Sequence, residues 1–270
     1  MRPILALAAH SLRRARGLAL SVGLLVCGFQ VLATILAQTF QESNAFGPLL
    51  ALVPPTVRQA FGASMIAVLS FQGIVCLGYI HPIVIGAVVG VVMAIATEPA
   101  AEIERRFVDL VLARPVSRSA LVTRSVLVMM AAGTALIVLL LTGTWLGLMG
   151  FAAEPELWPS GRVLGALSAN LAALAFCWGG VTLAVAVRTR RRAVAGSIVG
   201  LAAVATFLLD YVARAWAPAR RIVWISPFHY YDPTARLIGL PPDLAHIWTL
   251  VGVGLAGVAT AYAIFGRRDV

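Results

Sequence analysis

Six apolar stretches, each long enough to cross a lipid bilayer, constrain this chain more than any other feature of its sequence. They lie at residues 17–38, 80–97, 125–148, 163–187, 193–212 and 247–265, and charged residues are rare within them. A helix needs roughly 20 apolar residues to span the hydrocarbon core. Because backbone groups inside lipid must be hydrogen-bonded within the protein, we predict an all-α integral membrane protein with one six-helix bundle.

The arginines indicate how this bundle is oriented. All 21 basic residues are arginines, and 15 of them lie at the termini and in alternate connectors, which six spans place on one side of the membrane. The positive-inside rule assigns that side to the cytoplasm. We therefore predict a multi-pass protein of a bacterial-type cytoplasmic membrane with both termini cytoplasmic. Because the arginines flank the spans, they favour contact with membrane lipid over binding of nucleic acid. The six arginines of the opposite side are Arg58, Arg162, Arg214, Arg220, Arg221 and Arg236.

Two segments outside the spans have predicted structure of their own. Residues 1–16 mix leucine and alanine with arginine, a pattern that predicts an amphipathic helix in the membrane interface. Residues 64–80 are apolar but end at His81-Pro82, and proline starts a helix more readily than it continues one. We expect a short interfacial or re-entrant piece before His81, with the second span beginning near Pro82.

The connector at residues 98–124 is the most charged long segment of a chain in which only 12% of residues are charged. Its periodicity predicts a helix over residues 102–112 with one apolar and one polar face. The apolar face would hold Ile103, Phe107, Leu110 and Val111. The polar face would hold Glu102, Arg105, Arg106 and Asp109, with Glu102 pairing with the two arginines at helical spacing.

Pro115 would stop this helix, and Ser117 is suited to cap a new helix that leads into the third span. The result would be a short helix across the cytoplasmic face followed by a sharp turn into the bilayer. Such a helix can dock a soluble partner or can only anchor the bundle, and periodicity leaves both open.

The run from Glu102 to Arg118 resembles the cytoplasmic loop of type 2 ATP-binding-cassette (ABC) transporter permeases. That family has an acidic start, a leucine-rich turn and then the pattern small-x-Pro-Val/Ile-Ser/Thr-Arg before its third span, which this chain matches with Ala-Arg-Pro-Val-Ser-Arg. Residues 226–233 and 265–269 resemble the family's segment before the last span and its usual C-terminal ending. One departure is Arg106-Phe107, where many relatives carry Gly-Thr.

The resemblance implies a permease subunit of an exporter, paired with a second copy or a paralogue. Its cytoplasmic coupling helix would dock on a nucleotide-binding ABC ATPase, which would bind ATP and magnesium. It also implies that the outer segment 213–246 re-enters the membrane. The residues implied in docking are Glu102, Ile103, Arg105, Arg106, Phe107, Leu110, Arg114, Pro115 and Arg118.

The chain contains no lysine, so a GxxxxGK[ST] phosphate-binding loop is impossible. We therefore expect no ATPase activity and no cofactor on this chain. No HExxH or GxSxG motif is present either, and the three cysteines form no metal-binding motif.

Two other classes of function stay open. One is a non-transport anchor or sensor subunit that docks a cytoplasmic protein through the same loop, and the other is an integral-membrane enzyme.

Two residues outside the connector are further candidates. His81 lies in apolar surroundings, where a structural hydrogen bond competes with a metal or substrate role. Asp210 is the only acid within a predicted span, and intramembrane acids are functional candidates by default, but Arg214 four residues later suits a salt bridge. GxxxG pairs, one of which we expect at a dimer interface, occur at Gly86/Gly90, Gly143/Gly147 and Gly196/Gly200.

Overall fold

A computed structural model describes residues 2–52, 66–105, 118–214, 216–241 and 243–267 of the chain. Within these ranges the regular structure is helical throughout, with twelve α-helices and three short 3-10 turns. In chain order the α-helices are α1 (Arg2–Glu42), α2 (Phe46–Leu52), α3 (Phe71–Val75), α4 (Leu77–Ile80), α5 (Pro82–Ala96), α6 (Glu98–Glu104), α7 (Arg118–Phe151), α8 (Gly161–Ala186), α9 (Arg192–Ala213), α10 (Ala217–Arg220), α11 (Pro233–Leu237) and α12 (Leu244–Arg267). The 3-10 turns are Pro155–Leu157, Val223–Ile225 and Pro227–Tyr230.

Within the described ranges, six helical segments are long and apolar enough to cross a membrane, which confirms the predicted all-α, multi-pass membrane protein. Each overlaps one of the apolar stretches recognised in the sequence. The segments are Ala8–Glu42, Pro82–Glu104, Ser119–Phe151, Pro155–Ala186, Arg192–Ala213 and Leu244–Gly266.

The first of these helices is longer than a membrane requires. α1 runs without a break over 41 residues, which at about 1.5 Å per residue is about twice the ~30 Å hydrocarbon thickness. The predicted interfacial helix at residues 1–16 is therefore not a separate element in the structure. No proline lies between residues 4 and 42, so nothing in the sequence forces the chain to turn where the arginines end.

The second spanning helix begins at a histidine–proline junction. His81 has an extended backbone, and its Nδ1 accepts a hydrogen bond from the N–H of Ile83 at 3.3 Å. Pro82 occupies the first helical position, where its missing N–H costs nothing. The apolar segment before this junction forms the short helices α3 and α4 rather than an extension of α5.

A buried glutamine holds these short helices against the bundle. The Gln30 side chain, on α1, donates to the carbonyl of Val75 at 2.9 Å and to Thr144 Oγ1 at 2.8 Å. It also accepts a hydrogen bond from the N–H of Gly78 at 2.8 Å. Because this amide is fully buried, each bond satisfies a polar group that would otherwise be unpaired in an apolar core. Gln30 thus joins α1 and α7 to the segment that leads into α5.

The connector after α9 is also fixed to this segment. The hydroxyl of Tyr231 donates to the carbonyl of Tyr79, and both residues are buried. Burial raises the pKa of Tyr231, which keeps the hydroxyl protonated as a donor. The connector therefore packs inward at this point, while the predicted re-entry of residues 213–246 into the membrane stays a prediction.

Candidate functional site at the start of the charged connector

The connector starts with α6, a short helix that follows α5 after a single residue, Thr97. α6 spans Glu98–Glu104, and Pro99 lies in its first turn, where proline is tolerated. The next residue, Arg105, lies in a turn, and its N–H donates to the carbonyl of Ala101 at 3.1 Å. The helix that contains Glu102 thus begins earlier than predicted and ends at Glu104, so the predicted bounds are wrong on the described part, while residues 106–112 of the predicted helix lie outside the described residues.

Glu102 lies inside the protein and forms an ion pair with Arg124 of α7. Arg124 Nη2 lies 2.6 Å from Glu102 Oε2, and the two side chains are only 2% and 7% exposed. The predicted place of Glu102 on a polar outer face is therefore wrong, and Arg124 is its partner rather than Arg105. The physical reason is that α6, which starts at Glu98, packs against α7, and this packing turns Glu102 towards α7. A carboxylate buried there needs a cation beside it.

Two further acids of α6 contact other spanning helices. Glu98 Oε1 lies 3.6 Å from Arg14 Nη1 of α1, where the arginine is 55% exposed and solvent weakens the attraction. Glu104 Oε2 accepts a hydrogen bond at 2.9 Å from the N–H of Arg192, the first residue of α9. An acid at that position also interacts favourably with the helix dipole.

The side chain of Arg192 contacts residues just before α6. Its Nε donates to Thr97 Oγ1 and its Nη2 donates to the carbonyl of Ala94, both at 3.0 Å. Through these bonds and the three acids, the start of the connector is attached to α1, α7 and α9 at one end of the bundle.

The other predicted docking residues are only partly within the described ranges. Ile103 is partly buried against the main hydrophobic core, and Arg105 is exposed. Arg118 begins α7. Outside the described residues lie Arg106, Phe107, Leu110, Arg114 and Pro115.

His81 and Asp210 both have structural partners. His81 caps α5, and its ring centroid lies 5.6 Å from that of Phe29. Asp210 Oδ2 lies 3.0 Å from Arg214 Nη2, so the salt bridge suggested by their spacing is present, and His229 Nδ1 lies 3.9 Å from Asp210 Oδ1. Among the described residues, no three His, Cys, Asp or Glu side chains gather as metal ligands.

The three GxxxG pairs differ in what they face. A Cβ at Gly143 or Gly147 would overlap α1 at Cys27 or Thr34, so this pair packs within the chain. A Cβ at any residue of the other two pairs would have no described neighbour within 4 Å. The open pairs lie on α5 and α9.

Arg124 and Arg192 are the residues that sequence reasoning missed, because it used them only to orient the bundle. A signal was present for Arg124, which lies six residues inside α7, because an arginine within an apolar helix needs a partner, whereas Arg192 is the first residue of α9 and carried no such signal. No family model, curated protein or solved structure matches this chain. What the chain does is therefore inferred from its own residues.

Proposed function

We propose that this chain is the membrane-spanning permease subunit of an ABC transporter. It exports cargo across a cytoplasmic membrane, and a separate nucleotide-binding subunit hydrolyses ATP. The observation that carries the proposal is the attachment of α6 to three spanning helices through Glu98, Glu102 and Glu104. A force applied to the connector by a docked ATPase reaches all three helices at once through these contacts.

The composition of the connector supports the same proposal. Residues 102–118 resemble the coupling loop of type 2 permeases, and the absence of lysine removes the usual phosphate-binding loop from this chain. In this proposal ATP and magnesium bind to the partner subunit. Arg105 to Arg118 supply the docking contacts, with the buried Glu102 positioning the start of the loop.

A second copy of the permease, or a paralogue, completes the proposed transporter. The support comes from α9, whose buried residues are only Ala195, Val199 and Ala213. Its Gly196/Gly200 pair and the Gly86/Gly90 pair of α5 have open space in front of them, which suits close approach of another helix. Cargo would then cross between the two bundles.

Two substitutions in the connector, one that introduces a charge and one that reverses a charge, test the docking. The chain is co-expressed with candidate nucleotide-binding subunits of the same genome, and the complex is purified and reconstituted in nanodiscs. We expect Phe107→Asp and Arg114→Glu each to lower recovery of the ATPase at least about tenfold, because a loss of about 1.4 kcal/mol in binding is tenfold in affinity. Phosphate release from MgATP by the recovered complex measures the coupling.

The matched controls are Phe151→Asp and Arg162→Glu, which make the same changes at exposed positions at the other end of α7 and α8. We expect both to retain the ATPase. Unchanged recovery in the two connector variants would contradict docking through this loop. A complex that forms but whose ATPase rate is independent of the permease would instead favour an anchor or sensor subunit.

Accessibility of single cysteines tests the proposed orientation. A membrane-impermeant maleimide applied to intact cells should leave Ser117→Cys unlabelled and should label Ser160→Cys, because six spans place these positions on opposite sides. Labelling of position 117 from outside would reverse the topology. Permeabilised cells supply the control, since both positions should then react.

A further inference from the structure

A cavity beside α6 brings three arginines of different helices together. It has a volume of about 290 Å³, about ten times the ~30 Å³ that one molecule occupies in liquid water. Arg14 of α1, Arg124 of α7 and Arg192 of α9 line it, together with Glu98. The three arginines come together because each lies on the part of its helix that contacts α6.

Arg124 is not fully satisfied by its ion pair. Its side chain is 2% exposed, and while Nη2 contacts Glu102, its Nε is buried and has no hydrogen-bond partner among the described residues. A buried guanidinium N–H without an acceptor is costly, and most such groups in folded proteins are paired. Because Arg124 lines the cavity, an oxygen atom held there, from water or from a ligand, can supply the missing acceptor.

The charges around the cavity favour an anionic ligand. Arg14 is paired with Glu98, and Arg124 with Glu102. The guanidinium of Arg192 donates only to neutral oxygens among the described residues, those of Thr97 and Ala94, while Glu104 contacts its backbone N–H. Of the three guanidinium charges at the cavity, that of Arg192 therefore has no carboxylate partner of its own in the part of the chain that the structure describes. Arginine forks match the oxygens of a phosphate group well.

The apolar side chains that line the cavity indicate which kind of molecule carries the phosphate group. Leu18 lies one turn beyond Arg14 on α1, and Val128 lies one turn beyond Arg124 on α7, in both cases towards the middle of the span. Leu18 is 46% exposed. A ligand that extends from the arginines along these side chains needs a charged head and a hydrocarbon tail. We propose that this cavity binds the phosphate group of an anionic membrane phospholipid, whose acyl chain leaves the cavity past Val128 and lies along the exposed Leu18.

Lipid titration of the purified full-length chain tests this proposal. In detergent, dioleoyl phosphatidylglycerol is compared with dioleoyl phosphatidylcholine, with bound lipid counted by native mass spectrometry and thermal unfolding followed in parallel. We expect phosphatidylglycerol to bind more tightly and to raise the unfolding temperature. Arg14→Gln should weaken its binding about fivefold, since a basic residue near anionic lipid contributes about 1 kcal/mol.

Two other variants sharpen the result. Glu102→Gln/Arg124→Gln removes the ion pair without leaving a lone charge and should weaken phosphatidylglycerol binding at least as much as Arg14→Gln. Arg162→Gln makes the same change as Arg14→Gln at an exposed position at the opposite end of the bundle, and should bind as the wild type does. If the double variant does not fold, Arg14→Gln alone tests the proposal, because the Arg14 side chain is 55% exposed and its replacement should not prevent folding.

Three results would overturn the proposal. The first is equal affinity for the two lipids in the wild type, and the second is unchanged phosphatidylglycerol binding in Arg14→Gln. The third comes from inorganic phosphate and pyrophosphate, added without lipid. If they stabilise the wild type as strongly as phosphatidylglycerol does, the cavity takes a soluble phosphate compound rather than a lipid. None of these measurements involves a partner ATPase, so the result is independent of the proposed transport function.

Discussion

Arg124→Ala is expected to destabilise the protein by about 3–5 kcal/mol, or to prevent its accumulation, because it leaves the Glu102 carboxylate buried without a cation. The two side chains meet at 2.6 Å and are almost completely shielded from solvent. Glu102→Ala should cost a similar amount by leaving the Arg124 guanidinium alone. Unfolding in detergent micelles, with the monodisperse yield from size-exclusion chromatography, measures both effects.

A double substitution separates the loss of the attraction from the cost of a lone charge. Glu102→Leu/Arg124→Met removes both charges and keeps apolar volume, so it should recover most of the stability that either single variant loses. Arg214→Ala is the control, because it breaks an ion pair in which the arginine is 55% exposed, and it should cost less than about 1 kcal/mol. If Arg124→Ala costs no more than Arg214→Ala, the Glu102–Arg124 pair is not buried in the folded protein.

The spanning helices were predictable because the bilayer imposes them. An apolar run of about 20 residues can satisfy its backbone in lipid only as a helix, so composition alone locates it. Residues 193–212, for example, fall within α9 at Arg192–Ala213. The start of α5 at Pro82 was predictable too, because proline fits the first turn of a helix and interrupts a longer one.

The contacts of the connector were not predictable in the same way. Periodicity sorts residues 102–112 into two faces, but it does not say which face meets the bundle or where the helix begins. The spacing rule for ion pairs finds partners three or four residues away. The partner of Glu102 is Arg124, which is 22 residues away and on another helix. Only the packing of α6 against α7 brings them together.

Glycine patterns were equally ambiguous. The pair Gly143/Gly147 packs closely against α1, whereas the same spacing at Gly86/Gly90 and Gly196/Gly200 faces open space. The backbones of α8 and α12 approach each other tightly at Gly180, Gly254 and Gly257, which form no GxxxG pair. That contact depends on two helices meeting at particular residues, and no spacing within either helix predicts it.

Gly180→Leu should therefore destabilise the bundle strongly. A Cβ at Gly180 would overlap the Gly254 carbonyl group, and one at Gly257 would overlap the carbonyl group of Gly180. Both obstacles are backbone, so no side chain can rotate away and the two helices must separate. Overpacking usually costs about 1–3 kcal/mol, and we expect a loss at or above the upper end of that range because the clash is with main-chain atoms. Thermal unfolding in detergent and the yield of monodisperse protein measure it.

The graded series Gly180→Ala and Gly180→Leu distinguishes close packing from a general intolerance of glycine replacement. Alanine already adds the overlapping Cβ, so it should account for much of the leucine effect. At Gly165 of the same helix, where no described atom lies within 4 Å of an added Cβ, alanine should be neutral or stabilising by about 0.5–1 kcal/mol, because glycine is the poorer helix former. Equal effects of alanine at positions 180 and 165 would mean that α8 and α12 do not approach so closely. A cost confined to position 180 would place a tight backbone contact between these two helices, where movement of one must carry the other.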